Sequence, residues 1–180
     1  MNVWYSLSDI PGNEASVVTI GNFDGMHNGH KKVVSTCIER AHKLGVDAVA
    51  ITFDPHPIQV HKPEVGLQLI SPLRDRLDAM AAAGLDATLV AHYDASVYSL
   101  EAEEFVYEYV VERCGAREVV VGEDFRFGRG NAGTIDTLRE LGSRYGFGVI
   151  TVTDIEAPEG RRWSSSWVRE LLAAGDVAGA

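Results

Sequence analysis

Apolar residues along this chain follow two alternating spacings. Val17-Val18-Thr19-Ile20, Ala48-Val49-Ala50-Ile51-Thr52-Phe53, Thr88-Leu89-Val90-Ala91, Val119-Val120-Val121 and Val149-Ile150-Thr151-Val152 are short β-branched runs without polar alternation. They predict five strands buried on both faces. Between them the apolar spacing lengthens to three and four. Val33, Val34, Cys37, Ile38, Ala41 and Leu44 form one face of a helix over 30–44, stopped by Gly45. Similar reasoning predicts helices over 72–83, between Ser71 and Gly84, and over 101–113, 134–145 and 166–173. Alternating strands and helices predict an α/β fold: a Rossmann-like, doubly wound parallel sheet of about five strands, with helices on both faces. No repeat, low-complexity stretch or linker interrupts residues 1–180, so one domain is expected. Ligands bind such sheets beyond the carboxyl ends of the strands, here the loops beginning at Gly21, Asp54 and Gly122.

Composition narrows the class of ligand. With 46% apolar and 23% charged residues among 180, the chain can build a core of real size. No apolar run approaches the roughly 20 residues of a membrane span. The start, Met1-Asn2-Val3-Trp4-Tyr5, lacks a basic segment followed by an apolar one, so a cytoplasmic location is expected. Cys37 and Cys114 leave a single bridge open by spacing, but supply neither a disulfide framework nor a multi-cysteine zinc site. The net charge of −10 opposes broad binding to nucleic acid or to an anionic membrane. A small phosphorylated ligand stays open, because it needs only a few local cations and oriented N–H groups.

The loop Gly21-Asn22-Phe23-Asp24-Gly25-Met26-His27-Asn28-Gly29-His30 joins the first of these strands to the first helix. Its glycines let backbone approach a ligand, and the following helix aims free N–H groups and its positive end into the loop. His27 and His30 bracket the helix start, where imidazole N–H groups can bind phosphate or steady charge developing on it. A Walker loop is excluded because no Gly-Lys-Ser/Thr occurs. A zinc-protease pair is excluded because these histidines are three apart with no glutamate between them. Taken alone, the loop also fits a glycine-rich turn with exposed histidines.

The combination is more specific. His27-x-Gly-His30 after Gly21-x-Phe23-Asp24-Gly25 resembles the signature of the HxGH nucleotidyltransferases, in the variant of the prokaryotic bifunctional riboflavin kinase/FAD synthetases. The resemblance implies that the motif binds ATP phosphates, with Gly21, Phe23 and Asp24 lining the ATP site. It implies that His27 and His30 are catalytic, stabilising charge as AMP is transferred.

Further segments match in order. Arg161-Arg162-Trp163-Ser164-Ser165-Ser166-Trp167-Val168-Arg169 opens the last helix, with hydroxyls to cap it and planar arginine donors for an anion. By itself it reads equally as a serine cap flanked by surface arginines. The resemblance assigns ATP contacts to Arg162, Ser165, Ser166 and Arg169; Ser166 stands where threonine is usual and Trp163 where a small aliphatic residue is usual. Thr52-Phe53-Asp54-Pro55-His56-Pro57 reads as a stiff proline-bounded loop. The resemblance makes Pro55, His56 and Pro57 a flavin border, although His61 occupies a place often held by another aromatic residue. Gly122-Glu123-Asp124-Phe125-Arg126-Phe127-Gly128 supplies Asp124 to the nucleotide and Phe125 and Phe127 to the flavin by the same resemblance, while either phenylalanine alone fits core packing. Gly128-x-Gly130-x-x-Gly133, with Asp154 after the next strand, imitates a dinucleotide fingerprint. It begins seven residues after Val121, late in the chain, where that motif should start at the strand end.

The resemblance implies an FMN adenylyltransferase: ATP and FMN give FAD and pyrophosphate, with Mg²⁺ accompanying ATP and metal ligands unassigned. It implies that residues 1–180 are the FAD synthetase domain, that a riboflavin kinase module lies elsewhere in the full-length protein, and that this chain does not phosphorylate riboflavin. Transfer to another phosphorylated acceptor, or nucleotide binding without turnover, are the alternatives.

Overall fold

A computed structural model describes residues 1–12, 14–153 and 160–180. Six parallel strands form one sheet in the order β1-β4-β3-β2-β5-β6. They are β1 (Asn2–Trp4), β2 (Ser16–Ile20), β3 (Asp47–Asp54), β4 (Ala87–His92), β5 (Ala116–Gly122) and β6 (Gly148–Val152). All five predicted strands are present. The sixth, β1, is an edge strand of 3 residues pairing Val3 with Thr88, too short to leave a periodic trace.

The helices are α1 (Asn28–Leu44), α2 (Pro57–His61), α3 (Leu73–Ala83), α4 (Ala95–Tyr98), α5 (Ala102–Phe105, continuing as a π-helix over Val106–Arg113), α6 (Ile135–Tyr145) and α7 (Ser165–Ala173). The predicted helix over 101–113 is therefore not uniform. Its second half is rich in β-branched and aromatic residues, which gain least from regular α geometry, and its wide last turn brings the Cys114 N–H to the Tyr109 carbonyl at 3.3 Å. The stiff loop expected around Pro57 is one turn of helix, α2, with proline at a position where the missing N–H costs nothing.

Alternate residues of each strand enter opposite layers, as the pleat requires. Val18, Ile20, Val49, Ile51, Leu89, Val119 and Val121 join Phe105, Val110, Leu138 and Leu141 in one layer. Val17, Ala48, Ala50 and Val120 join Val34, Cys37, Ala41 and Met80 of α1 and α3 in the other. Both cysteines are free and buried, which pushes each thiol up to about 12 and leaves no bridge between them. No helix among the described residues is long and apolar enough to cross a membrane.

One close approach makes this packing testable. A Cβ on Gly142 in α6 would lie 2.6 Å from the Phe147 carbonyl oxygen that turns the chain into β6. Alanine would gain about 1 kcal/mol of helix propensity, less than the cost of displacing backbone. Gly142→Ala is expected to lower stability by about 1–2 kcal/mol in urea melts, with the denaturant slope unchanged.

β2 lies at the point where the strand order reverses: β3 and β4 follow on one side, β5 and β6 on the other. The crevice beyond the ends of β2 and β5 is where a doubly wound sheet opens.

Candidate active site

The loop from Gly21 to His27 fills that crevice, and its shape is fixed from below. Phe23 and Met26 adopt positive φ of 51° and 41°, uncommon and costly for residues with side chains. Both side chains are buried in the core layer under α1, which holds the strained backbone in place. Asp24 is fully buried between them. Its carboxylate accepts from the Ile70 and Ser71 backbone N–H groups at 3.0 Å and is ion-paired with Arg169 of α7. One carboxylate thus joins the loop, the approach to α3, and α7.

At the end of the loop, His27 caps α1: its Nδ1 accepts from the His30 N–H at 3.4 Å, a long contact. The two imidazoles stack with centroids 3.7 Å apart. Gly29 permits this, because a Cβ there would meet the His27 ring at 3.1 Å. Burial lowers His27 to about 4, with Arg162 adding to the shift, and lowers His30 to about 3, with His27 adding. Both rings are therefore neutral at pH 7. The His30 Nδ1 is buried without a hydrogen-bond partner.

α7 brings a second helix start to the same place. Ser164 caps it by accepting from the Trp167 N–H at 3.2 Å, and the Ser165 hydroxyl donates to the Asp24 carbonyl at 3.0 Å. The two helix starts open on a cavity of about 280 Å³ that His27, His30, Asp124, Arg162, Ser164 and Ser165 help to line. Asp124 and Arg162 are ion-paired across it. A second cavity, of about 300 Å³, lies beside the first and shares Ile20, Gly21 and Phe125 with it. Its wall is aromatic: Phe53, Tyr93, Tyr98, Phe105 and Phe127 line it. Phe125 stacks on Phe127 with centroids 5.4 Å apart and planes at 15°, forming the partition between the cavities.

Under this floor lies Arg76 of α3, fully buried. Its guanidinium donates to the carbonyls of Asn22 and Phe53 at 2.9 and 3.3 Å and to Asp54 at 3.1 Å, tying the ends of β2 and β3 together. A buried fork on carbonyls is a task for arginine and not for lysine.

A polar, anion-ready cavity opening into an aromatic one suits a phosphorylated aromatic substrate. Comparison with known proteins gives it a family. The family model for FAD synthetase matches residues 9–167. The chain belongs to the FAD synthetase family. It is 38% identical over 167 residues to a putative bifunctional riboflavin kinase/FMN adenylyltransferase of Geobacillus thermodenitrificans, covering 93% of this chain and 86% of that one. It is 33% identical over 174 residues to the bifunctional riboflavin kinase/FMN adenylyltransferase of Escherichia coli, covering 97% of this chain and 55% of that one. The chain thus spans about half the length of the latter. A pantothenate synthetase structure from Thermus thermophilus, with TM-score 0.61 and 16% identity over 99% of this chain and 76% of that one, shares the fold.

Within this member of the FAD synthetase family the residues singled out from sequence divide into groups. Gly21, Phe23, His27, His30, Asp124, Arg162 and Ser165 line the first cavity, and Pro57, Phe125 and Phe127 the second. Asp24 and Arg169 line neither; they bind each other behind the loop. Ser166 is exposed on α7 outside both cavities. His56 is buried as the cap of α2, its Nδ1 accepting from the Ile58 N–H at 3.1 Å, and Pro55 precedes it outside the cavity. His61 closes an aromatic trio, hydrogen-bonded to the Tyr93 hydroxyl at 2.9 Å and 5.0 Å from the Tyr98 ring. In the Gly128–Gly133 segment Gly133 donates to the Phe127 carbonyl at 2.9 Å and Arg129 to the Leu100 carbonyl at 2.8 Å. Its expected acidic partner, Asp154, lies outside the described residues.

The histidines set a pH dependence. Both fold to values below the ordinary 6.5, so between pH 6.5 and about 4 the unfolded chain binds protons that the folded one does not. Stability from this source is complete above pH 6.5 and is lost as pH falls. The melting temperature is expected to decline from pH 7 to pH 5, and His30→Gln to flatten that decline. An unchanged slope in the variant would remove His30 as its source.

Proposed function

We propose that this chain transfers AMP from ATP to FMN, giving FAD and pyrophosphate. The observation that carries the reading is the pair of adjoining cavities at the sheet's reversal point, one ringed by two helix starts and two stacked histidines, the other aromatic. In this reading an oxygen of the FMN phosphate attacks the α-phosphorus of ATP. That oxygen–phosphorus bond forms as the bond to the bridging oxygen breaks, and pyrophosphate leaves with the electron pair. No protein nucleophile is required; positioning and neutralisation of charge supply the catalysis.

His27 and His30, neutral before ATP arrives, donate N–H groups to the phosphates. Triphosphate charge beside the rings favours their protonated forms, so transfer can proceed against imidazolium. Arg162 and the α7 start act on the same oxygens, and Asp24 with Arg169 holds both helix starts in register. Mg²⁺ would accompany ATP and would supply neutralisation of phosphate charge there. Among the described residues no cluster of three His, Cys, Asp or Glu side chains could cage it, and Asp124 is the carboxylate lining the nucleotide cavity.

The 180 residues are proposed to be the FAD synthetase domain of a longer protein carrying a riboflavin kinase module. The test is to incubate the chain with Mg²⁺, ATP and either FMN or riboflavin, and to separate flavins by chromatography. FAD from FMN, and no FMN from riboflavin, is expected. ATP binding without FAD would sink the transferase reading, and phosphorylated riboflavin would sink the domain reading.

A further inference from the structure

Adenylyl transfer to FMN carries an electrostatic requirement that the residues discussed so far do not meet. The attacking phosphate is itself anionic and must come within bonding distance of a triphosphate, so a cation is needed on the acceptor side. Each nearby positive side chain can be followed to its partner. Arg76 is buried below the floor with its fork on the Asn22 and Phe53 carbonyls and Asp54. Arg162 belongs to the nucleotide cavity, paired with Asp124. Arg169 is paired with Asp24 behind the loop, and Arg129 with Glu101. Arg126 remains. It is the one charged side chain lining the aromatic cavity among the described residues, and it has no ion pair or hydrogen bond there.

Its place in the chain is informative. Arg126 sits between Phe125, which separates the two cavities, and Phe127, which stacks on Phe125 inside the aromatic one. A flat ring system against the aromatic wall, with its phosphate directed at the nucleotide cavity, must pass this partition. A planar guanidinium beside the partition can take two phosphate oxygens at once and hold the third toward the α-phosphorus. The other candidate cation, Lys62, lies on an outer shelf with His61 and Tyr98, which adjoins the aromatic cavity but not the nucleotide one.

Resting on the proposed transfer to FMN, we propose that Arg126 is the phosphate-binding residue of the acceptor: it recognises the terminal phosphomonoester of the flavin, distinguishes FMN from riboflavin, and aims the attacking oxygen. The roles follow from one contact. The aromatic wall binds the ring of either flavin; Arg126 reads the phosphate alone.

The experiment compares FMN and riboflavin binding, by quenching of flavin fluorescence, in the wild type, Arg126→Gln, Arg126→Lys and Lys62→Gln, together with KM for FMN and for ATP. Wild type is expected to bind FMN more tightly than riboflavin. Arg126→Gln should weaken FMN about tenfold or more, leave riboflavin within about twofold, and raise KM for FMN but not for ATP. Arg126→Lys should recover part of the loss, since a point charge replaces a fork. Equal weakening of FMN and riboflavin would make Arg126 a packing residue and overturn the proposal, as would no change in either. Loss of the FMN preference in Lys62→Gln instead would overturn it by placing the phosphate on the outer shelf. If the wild type binds FMN with this preference but makes no FAD, the transfer reading falls while the binding ratio still tests Arg126; no FMN binding by the wild type would defeat both.

Discussion

Replacing His27 and His30 together with alanine is expected to lower FAD formation by a factor of roughly 10³–10⁴ while the chain still folds. Removing one preorganised donor from a developing oxyanion costs about 10²–10³ in rate. Two stacked rings serving one phosphate chain act as a unit, so single variants should each lose about 10²–10³ and the losses should not multiply. The fold should survive because neither ring is central to a core layer, and only His27 has a structural task, the long contact capping α1. Losing a cap costs about 1 kcal/mol, and His27→Asn, which keeps an acceptor at that position, separates capping from catalysis. The measurements are single-turnover FAD formation at saturating substrates and thermal melts. If the double variant keeps a tenth of the wild-type rate, the stacked pair does not stabilise the transferring phosphate.

That pair was legible in the sequence for a physical reason. A helix start must expose its first N–H groups, and a His-x-Gly-His run in the loop after a β-branched strand places both rings at such a start. The five longer strands were legible because burial on both faces leaves unbroken apolar runs. β1 and α2 were not, since elements of 3 and 5 residues are too short to repeat their period. The aromatic cavity was legible only in its Pro57 and Phe125–Phe127 portions. Phe53, Tyr98 and Phe105 come from three elements and Tyr93 from the loop after β4, and they meet only when the sheet is assembled. Arg76 was missed because nothing in Leu73–Ala83 marks a buried charge; its partners, the Asn22 and Phe53 carbonyls and the Asp54 carboxylate, are 22 to 54 residues away and meet it only in the folded chain.

Asp24 is the instructive case, because the resemblance placed it against ATP while the structure spends its carboxylate elsewhere. Asp24→Ala is expected to destabilise the chain by about 3–5 kcal/mol, since it strands the Arg169 guanidinium and two backbone N–H groups in a largely buried setting. For a chain of this size that corresponds to a fall in melting temperature of roughly 6–20 °C. FAD formation should fall as well, even at low temperature, because the α1 and α7 starts are aligned through this carboxylate. Asp24→Asn keeps an acceptor and should lose less. Asp24→Ala combined with Arg169→Met should lose less than the sum of the two changes, because the second removes the charge that the first strands. A residue whose only task was to contact ATP would behave otherwise: Asp24→Ala would melt within about 2 °C of wild type, raise KM for ATP, and show no energetic coupling to Arg169. Thermal melts of the four-member cycle, with KM for ATP alongside, separate the two roles, and additivity within about 0.5 kcal/mol would remove the clamp.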